Sequence, residues 1–92
     1  MTDDKPAEPT RKEQQEWLRA VCVEIGVDPD LLDVGLVLDV TKEVAHRFVR
    51  PMAPVSSYAL GIAVGLAAAS GGPVDQKAIA DRIVDTLPPA SD

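Results

Sequence analysis

The single histidine of this 92-residue chain lies in a cluster of three basic residues, His46, Arg47 and Arg50. An imidazole and two guanidinium groups near a helix end could bind a phosphate or a carboxylate. His46 and Arg50 are four residues apart, so a helix through both would place them on one face. The three residues therefore form a candidate anion-binding site.

The same cluster also fits a structural interpretation in which no ligand is bound. Cations in the last turn of a helix interact favourably with its dipole. Glu43 precedes Arg47 by four residues, the spacing of an ordinary helical ion pair. Asp39 lies two turns before His46 on the same face and could neutralise the cluster. The sequence favours this interpretation and leaves the anion site open.

Cys22 and Trp17 lie on one apolar stripe of the first predicted helix. A reactive thiol needs a cationic, partly exposed setting, and nothing near Cys22 supplies one, so we expect a buried small side chain. Trp17 has two interpretations. In the interpretation that the sequence favours, Trp17 packs at the edge of the core and its indole N–H reaches a partner or water. In the other, Trp17 is an exposed interface anchor.

No residue pattern typical of catalysis or of metal and cofactor binding is found. One Cys and one His cannot complete a structural zinc site, which normally takes four ligands. Gly71-Gly72 is not followed by the Lys-Ser/Thr of a phosphate-binding loop. No general base can be assigned to Ser56, Ser57 or Ser70. We therefore expect a protein that is not an enzyme and has no cofactor.

The net charge of −6 argues against a nucleic-acid partner, because nucleic-acid binders present a basic surface. The charge is uneven: residues 40–74 carry a net +2 between acidic flanks and include the basic cluster. The polar N-terminus is not a secretory signal. The longest apolar run, residues 58–69, is shorter than the ~20 residues that span a bilayer. We expect a cytoplasmic protein without a membrane segment.

Capping and breaking residues predict the helix boundaries. Thr10 and Glu13 match a capping box, and Gly26 is typical of a left-handed helix end. Asp28-Pro29 predicts a new helical start, and Pro51 predicts a stop at Arg50. Ser56 or Ser57 is expected to cap a third helix, apolar all round and thus central in the core. The predicted elements are helices at residues 10–25, 36–50, 57–70 and 74–87, and a short helical turn near residues 29–34.

These elements predict an all-α fold, a compact bundle of four main helices in a single domain at residues 10–87. Residues 1–9 are expected to form a disordered acidic tail and residues 88–92 a second disordered tail. The three aromatic side chains, Trp17, Phe48 and Tyr58, lie on three different predicted helices, where we expect them to anchor the bundle.

Three stretches carry a resemblance to a known family. They are Trp17-Leu18 with Val21-Cys22 and Gly26-Val27-Asp28-Pro29, then Val44-Ala45-His46-Arg47 with Val49-Arg50-Pro51 and Ala53-Pro54, and finally Gly61-Ile62-Ala63-Val64-Gly65-Leu66-Ala67. The chain resembles a small actinobacterial domain of unknown function over residues 14–87. That domain occurs alone or joined to molybdenum-cofactor guanylyltransferase-like proteins.

The resemblance implies a setting, molybdenum-cofactor handling, and no catalytic residues. From it we expect a non-catalytic accessory module that binds a protein partner, such as a molybdenum-cofactor enzyme or maturation factor, with Trp17 as a hypothetical interface residue. One alternative is a small-molecule binder that holds phosphate, a nucleotide or a pterin on His46, Arg47 and Arg50. A second alternative is a homodimer formed through the helix at residues 57–70.

Overall fold

The computed structural model describes residues 7–90, and within that range it contains four α-helices, one 3₁₀ turn and no strand. The elements are α1 (Arg11–Ile25), the turn Pro29–Leu31, α2 (Val34–Arg47), α3 (Met52–Ala69) and α4 (Gln76–Val84). The prediction of an all-α fold with four main helices is confirmed.

The chain forms two compact units. The N-terminal unit ends at Leu32, and the three-helix unit begins at Asp33. The disordered tails were predicted partly on residues 1–6 and 91–92, which lie outside the described residues. The prediction of a single domain at residues 10–87 stays a prediction.

Local hydrogen bonds define both ends of α1. The Glu13 amide donates to the Thr10 hydroxyl at 3.1 Å, and the Thr10 amide donates to the Glu13 carboxylate at 2.8 Å, which confirms the capping box. Gly26 ends the helix in the left-handed region at φ 76°. Only glycine adopts that conformation without a steric penalty, which explains why the helix ends there.

The 3₁₀ turn follows α1 and completes the N-terminal unit. The Asp30 amide donates to the Asp28 carboxylate at 2.9 Å, as predicted for Asp28-Pro29. Arg19 and Asp30 approach to 3.7 Å, but both side chains are largely exposed. Such a pair contributes about 0–1 kcal/mol to stability. Cys22 is the buried side chain of α1, which confirms its predicted burial.

The core of the three-helix unit lies where α2, α3 and α4 pack against one another. Every helix supplies buried side chains, and further partly buried apolar residues pack around them. The buried members are Val40, Val44, Ala53, Leu60, Val64 and Ala80. They are mostly small or β-branched, so the helices approach closely and a one-residue truncation leaves a void.

Two predicted boundaries around the α2–α3 connection are wrong. α2 ends at Arg47, three residues earlier than predicted, because Phe48 leaves the helical region at φ −133° and ψ −97°. α3 begins at Met52, five residues earlier than predicted, because Pro54 falls in the first turn, where its missing N–H breaks no helical bond. Ser56 and Ser57 donate to the Ala53 carbonyl inside the helix and do not cap it.

The last helix is also shorter than predicted. The Asp75 carboxylate accepts the Ala78 amide at 3.0 Å and caps α4, which ends at Val84. Leu87, three residues beyond the helix, nevertheless packs against the core, so the chain after α4 still covers it.

α3 is not the enclosed central helix that its composition predicted. One side contributes Ala53, Leu60 and Val64 to the core, and the opposite side is exposed. With 18 residues, α3 is long and apolar enough to cross a membrane by those two criteria, although core helices of soluble proteins meet them too. The helix begins six residues before the apolar run at residues 58–69, and the expectation that the chain has no membrane segment stays a prediction.

Candidate functional site

Arg47 is the member of the predicted basic cluster that has hydrogen-bond partners within residues 7–90, and these partners all belong to the three-helix unit. Its Nη1 donates to the Glu43 carboxylate at 3.0 Å, which confirms the predicted ion pair. Its Nε donates to the Pro88 carbonyl at 2.9 Å, and its Nη2 to the Leu87 carbonyl at 3.4 Å. The guanidinium therefore fastens the segment after α4 to the end of α2.

This arrangement gives Arg47 a structural role. Its side chain is 19% exposed, and three of its five N–H donors have partners within the chain. The planar guanidinium suits this bridging geometry, which a lysine ammonium does not reproduce. The part of the structural interpretation that pairs Arg47 with Glu43 therefore holds.

His46 and Arg50 differ from Arg47. Both are exposed, and neither forms a hydrogen bond or an ion pair with any residue in the range 7–90. The predicted neutralisation of His46 by Asp39 is therefore not found there. Because α2 ends at Arg47, the argument that His46 and Arg50 share a helix face no longer applies. The side chains of His46 and Arg50 therefore have no partner within residues 7–90.

Trp17 is exposed, at 67% of its maximum area. The favoured interpretation, packing at the edge of a core, is wrong, and the rival interpretation of an exposed side chain fits. Val21 and Ile25 follow at intervals of four residues, so the three form one row along α1. We call Trp17, Val21 and Ile25 the Trp17 row. An exposed tryptophan beside an isoleucine is typical of an interface anchor.

Phe48 and Tyr58 are likewise exposed, so the prediction that the aromatic side chains anchor a bundle is wrong for all three. Their sequence positions matched an apolar periodicity, but periodicity does not say whether a neighbouring element covers that side. In a chain of this size, the available partners are too few to cover every apolar stripe.

The exposed side of α3 lies on the helix that the sequence offered as a possible homodimer surface, although the apolar composition of that helix predicted that it is enclosed. Its large side chains are between 47% and 74% exposed, and α3 contains no charged residue along its 18 positions. We define the α3 face by the residues that share this side: Val55, Tyr58, Ala59, Ile62, Gly65, Leu66 and Ala69. The sequence of α3 is apolar on all sides, and such a composition does not show which side is covered by other helices and which is exposed.

An open hollow of about 600 Å³ lies at the N-terminal ends of α2 and α4. Asp33 and Asp75 line it, but each carboxylate already accepts a capping amide, from Leu36 and Ala78. Lys77, also in its lining, pairs with Asp81 at 3.0 Å. Within residues 7–90, no group of three or more His, Cys, Asp or Glu side chains could hold a metal ion.

Within residues 7–90, the pKa of Glu13 is shifted from its ordinary value. The hydrogen bond from the Thr10 backbone amide, followed by one from its side chain, lowers the pKa of Glu13. Both bonds favour the charged carboxylate, so the capping box is stronger while Glu13 is ionised.

The sequence model of one family, described as Domain of unknown function (DUF6457), matches residues 9–90 and so covers nearly the whole chain. No curated protein sequence and no solved structure matches the chain.

Proposed function

The chain belongs to the DUF6457 family, and on that premise we propose that it is a non-catalytic helical accessory module that binds a protein partner through the Trp17 row. The observation that carries this proposal is the exposure of Trp17 at the head of an apolar row on a short, capped helix. Large apolar side chains left in water cost free energy that a partner's groove would recover.

The spacing of the Trp17 row and the charge of the N-terminal unit suggest the chemistry of that partner. A helix that presents residues at intervals of four fits an apolar groove on another protein. The N-terminal unit is acidic, with four basic and eight acidic residues in residues 1–32. A groove with a basic rim would therefore attract this acidic unit, which speeds association and fixes the orientation of binding. The partner class we propose is a molybdenum-cofactor enzyme or maturation factor, on the resemblance carried by the three sequence stretches.

The test is affinity capture from the native host with three versions of the chain. We expect the wild type to recover a molybdenum-cofactor enzyme or maturation factor. The Trp17→Ala variant should recover at least tenfold less of that protein. Val23→Ala is the matched control, because Val23 is also exposed on α1 but lies about 120° around the helix from Trp17 and about 160° from Val21 and Ile25.

Two results contradict this proposal. Recovery of unrelated proteins alone would show that the molybdenum-cofactor setting is wrong. Equal recovery by the wild type and Trp17→Ala would show that the Trp17 row is not the binding surface, whatever the partner.

A second candidate function rests on His46 and Arg50, which are exposed and unpaired within residues 7–90. Both could bind a small anion such as phosphate, a nucleotide or a pterin, while Arg47 keeps its structural contacts. Titration with inorganic phosphate and guanosine monophosphate, followed by NMR, should then shift the His46 and Arg50 side-chain resonances. Unmoved resonances at millimolar anion would exclude this candidate.

A further inference from the structure

We propose that the α3 face is the contact surface of a homodimer, in which α3 packs antiparallel against α3 of a second copy and the two helices cross at Ile62. This surface lies in the three-helix unit and not on the Trp17 row. The inference therefore goes beyond the proposed function and is tested separately from it.

The spacing of the α3 face supports a twofold arrangement. The α3 face contains three sets of positions that are spaced seven residues apart, as in helices that pair along their length. These sets are 55, 62 and 69; 58 and 65; and 59 and 66. Counted from Ile62, each position on one side has a counterpart on the other. In an antiparallel pair, Val55 meets Ala69, Tyr58 meets Leu66, and Ala59 meets Gly65. A surface that matches itself in this way is what a twofold dimer requires.

Small residues on this side of α3 permit close approach. A Cβ built on Gly65 meets no atom within 4 Å, so the space in front of this glycine is open. Together with Ala59 and Ala69, Gly65 allows a second helix backbone to approach closely. Glycine inside a helix costs about 1 kcal/mol relative to alanine, and close packing with a second helix would offset that cost.

Charge also favours a second copy over a charged partner. The chain carries a net charge of −6, which opposes self-association through most of its surface. The α3 face is the exception, because the 18 residues of α3 include no acid and no base. Two copies can therefore meet there without placing like charges opposite each other.

The area sets the expected strength of the dimer. An 18-residue helix is about 27 Å long, and half of its circumference amounts to on the order of 450 Å². A standard interface buries about 800 Å² per partner. We therefore expect a weak dimer that forms in a concentration-dependent manner.

A lipid surface is the rival occupant, since α3 meets the length and composition criteria for a membrane span. Insertion would remove Ala53, Leu60 and Val64 from the core that they form with α2 and α4. The negative net charge would also be repelled by anionic lipids. These two costs favour the second copy.

Sedimentation equilibrium from about 10 µM to 1 mM tests the proposal. We expect the wild type to dimerise, and Ile62→Glu to stay monomeric because it would bury two carboxylates at the crossing point. Leu38→Glu is the matched control: Leu38 is exposed on α2, on the side opposite Val40, and its variant should dimerise like the wild type. Circular dichroism checks that each variant keeps its helices.

Gly65→Leu distinguishes the second copy from lipid. The new side chain enters open space in the monomer, so the fold tolerates it, and it adds apolar surface. It should weaken a closely packed dimer at least tenfold, whereas binding to vesicles of phosphatidylcholine and phosphatidylglycerol would increase. A wild type that is monomeric at 1 mM, or a Gly65→Leu variant that dimerises as tightly as the wild type, overturns the proposal.

Cross-linking tests the antiparallel orientation. A mixture of Tyr58→Cys and Leu66→Cys chains, oxidised under mild conditions, should give mainly the mixed disulfide. A preference for Tyr58→Cys linked to itself would indicate a parallel pair and contradict the arrangement proposed.

Discussion

The two units differ in what holds them together. In the N-terminal unit, described from residue 7, Cys22 is the buried side chain of α1, and local hydrogen bonds at Thr10 and Gly26 define the helix. In the three-helix unit, six buried side chains from three helices share one core, and Arg47 ties distant segments together. The first unit relies on contacts close in sequence and the second on contacts distant in sequence. Mutations should therefore affect the two units through different mechanisms.

Leu60→Ala should have the largest effect, because Leu60 is only 3% exposed at the centre of the core. Truncating a buried leucine removes apolar contacts and leaves a cavity, so we expect a loss of about 2–5 kcal/mol in unfolding free energy. Urea unfolding followed by circular dichroism measures it. Leu66→Ala is the matched control, since Leu66 is 68% exposed on the same helix and should change stability by less than about 0.5 kcal/mol in dilute protein. Equal losses would contradict the assigned core.

Arg47→Lys should have the next largest effect. Lysine keeps the charge but loses the planar group that bonds the Leu87 and Pro88 carbonyls, so we expect about 1–2 kcal/mol of destabilisation. Hydrogen exchange at the backbone amides of Asp85, Thr86 and Leu87 should also increase. Arg82→Lys, at an exposed position in the last turn of α4, is the control that should leave both measurements unchanged.

Thr10→Ala should act on the local contacts of the N-terminal unit. It removes the acceptor of the Glu13 amide, so α1 should lose about 1 kcal/mol of helix stability. Hydrogen exchange of the amides in the first two turns of α1 measures this loss. If those amides keep their protection, the capping box does not hold the helix start.

Acidification should produce the smallest effect. Because the pKa of Glu13 is lower in the folded chain, its ionised form stabilises α1 fully above the ordinary pKa of about 4.3. That contribution is lost as pH falls through the lowered value. NMR chemical shifts of α1 followed from pH 7 to pH 2.5 should show fraying that Glu13→Gln largely abolishes. If the chemical shifts show the same pH dependence in Glu13→Gln as in the wild type, a group other than Glu13 is responsible for the titration.

Much of the fold was predictable from the sequence because the relevant interactions are local. The Thr10 capping box, the Gly26 end, the Asp28 cap and the Glu43–Arg47 pair all join residues within five positions. The boundaries around Pro51 were not predictable to the residue. A proline at a helix start and a proline after a helix end give similar sequence patterns. The conformation of Phe48 ends α2 at Arg47, so the prolines that follow belong to the start of α3.

The candidate site was predictable only in part. The sequence located His46, Arg47 and Arg50 but could not show that Arg47 bonds the carbonyls of Leu87 and Pro88, forty residues away. It also marked Trp17 as a possible interface residue without showing that it is exposed. Contacts between distant segments follow from packing, which no local pattern encodes.

The sequence by itself determined that this chain is helical and where α1 begins and ends, because capping and turn preferences act over a few residues. Its uncharged α3 segment was also evident from composition alone. Only the tertiary structure decided which side of α3 is covered and which of the basic residues is already paired. An apolar stripe records that a side chain favours burial, but whether it is buried depends on the elements that pack beside it.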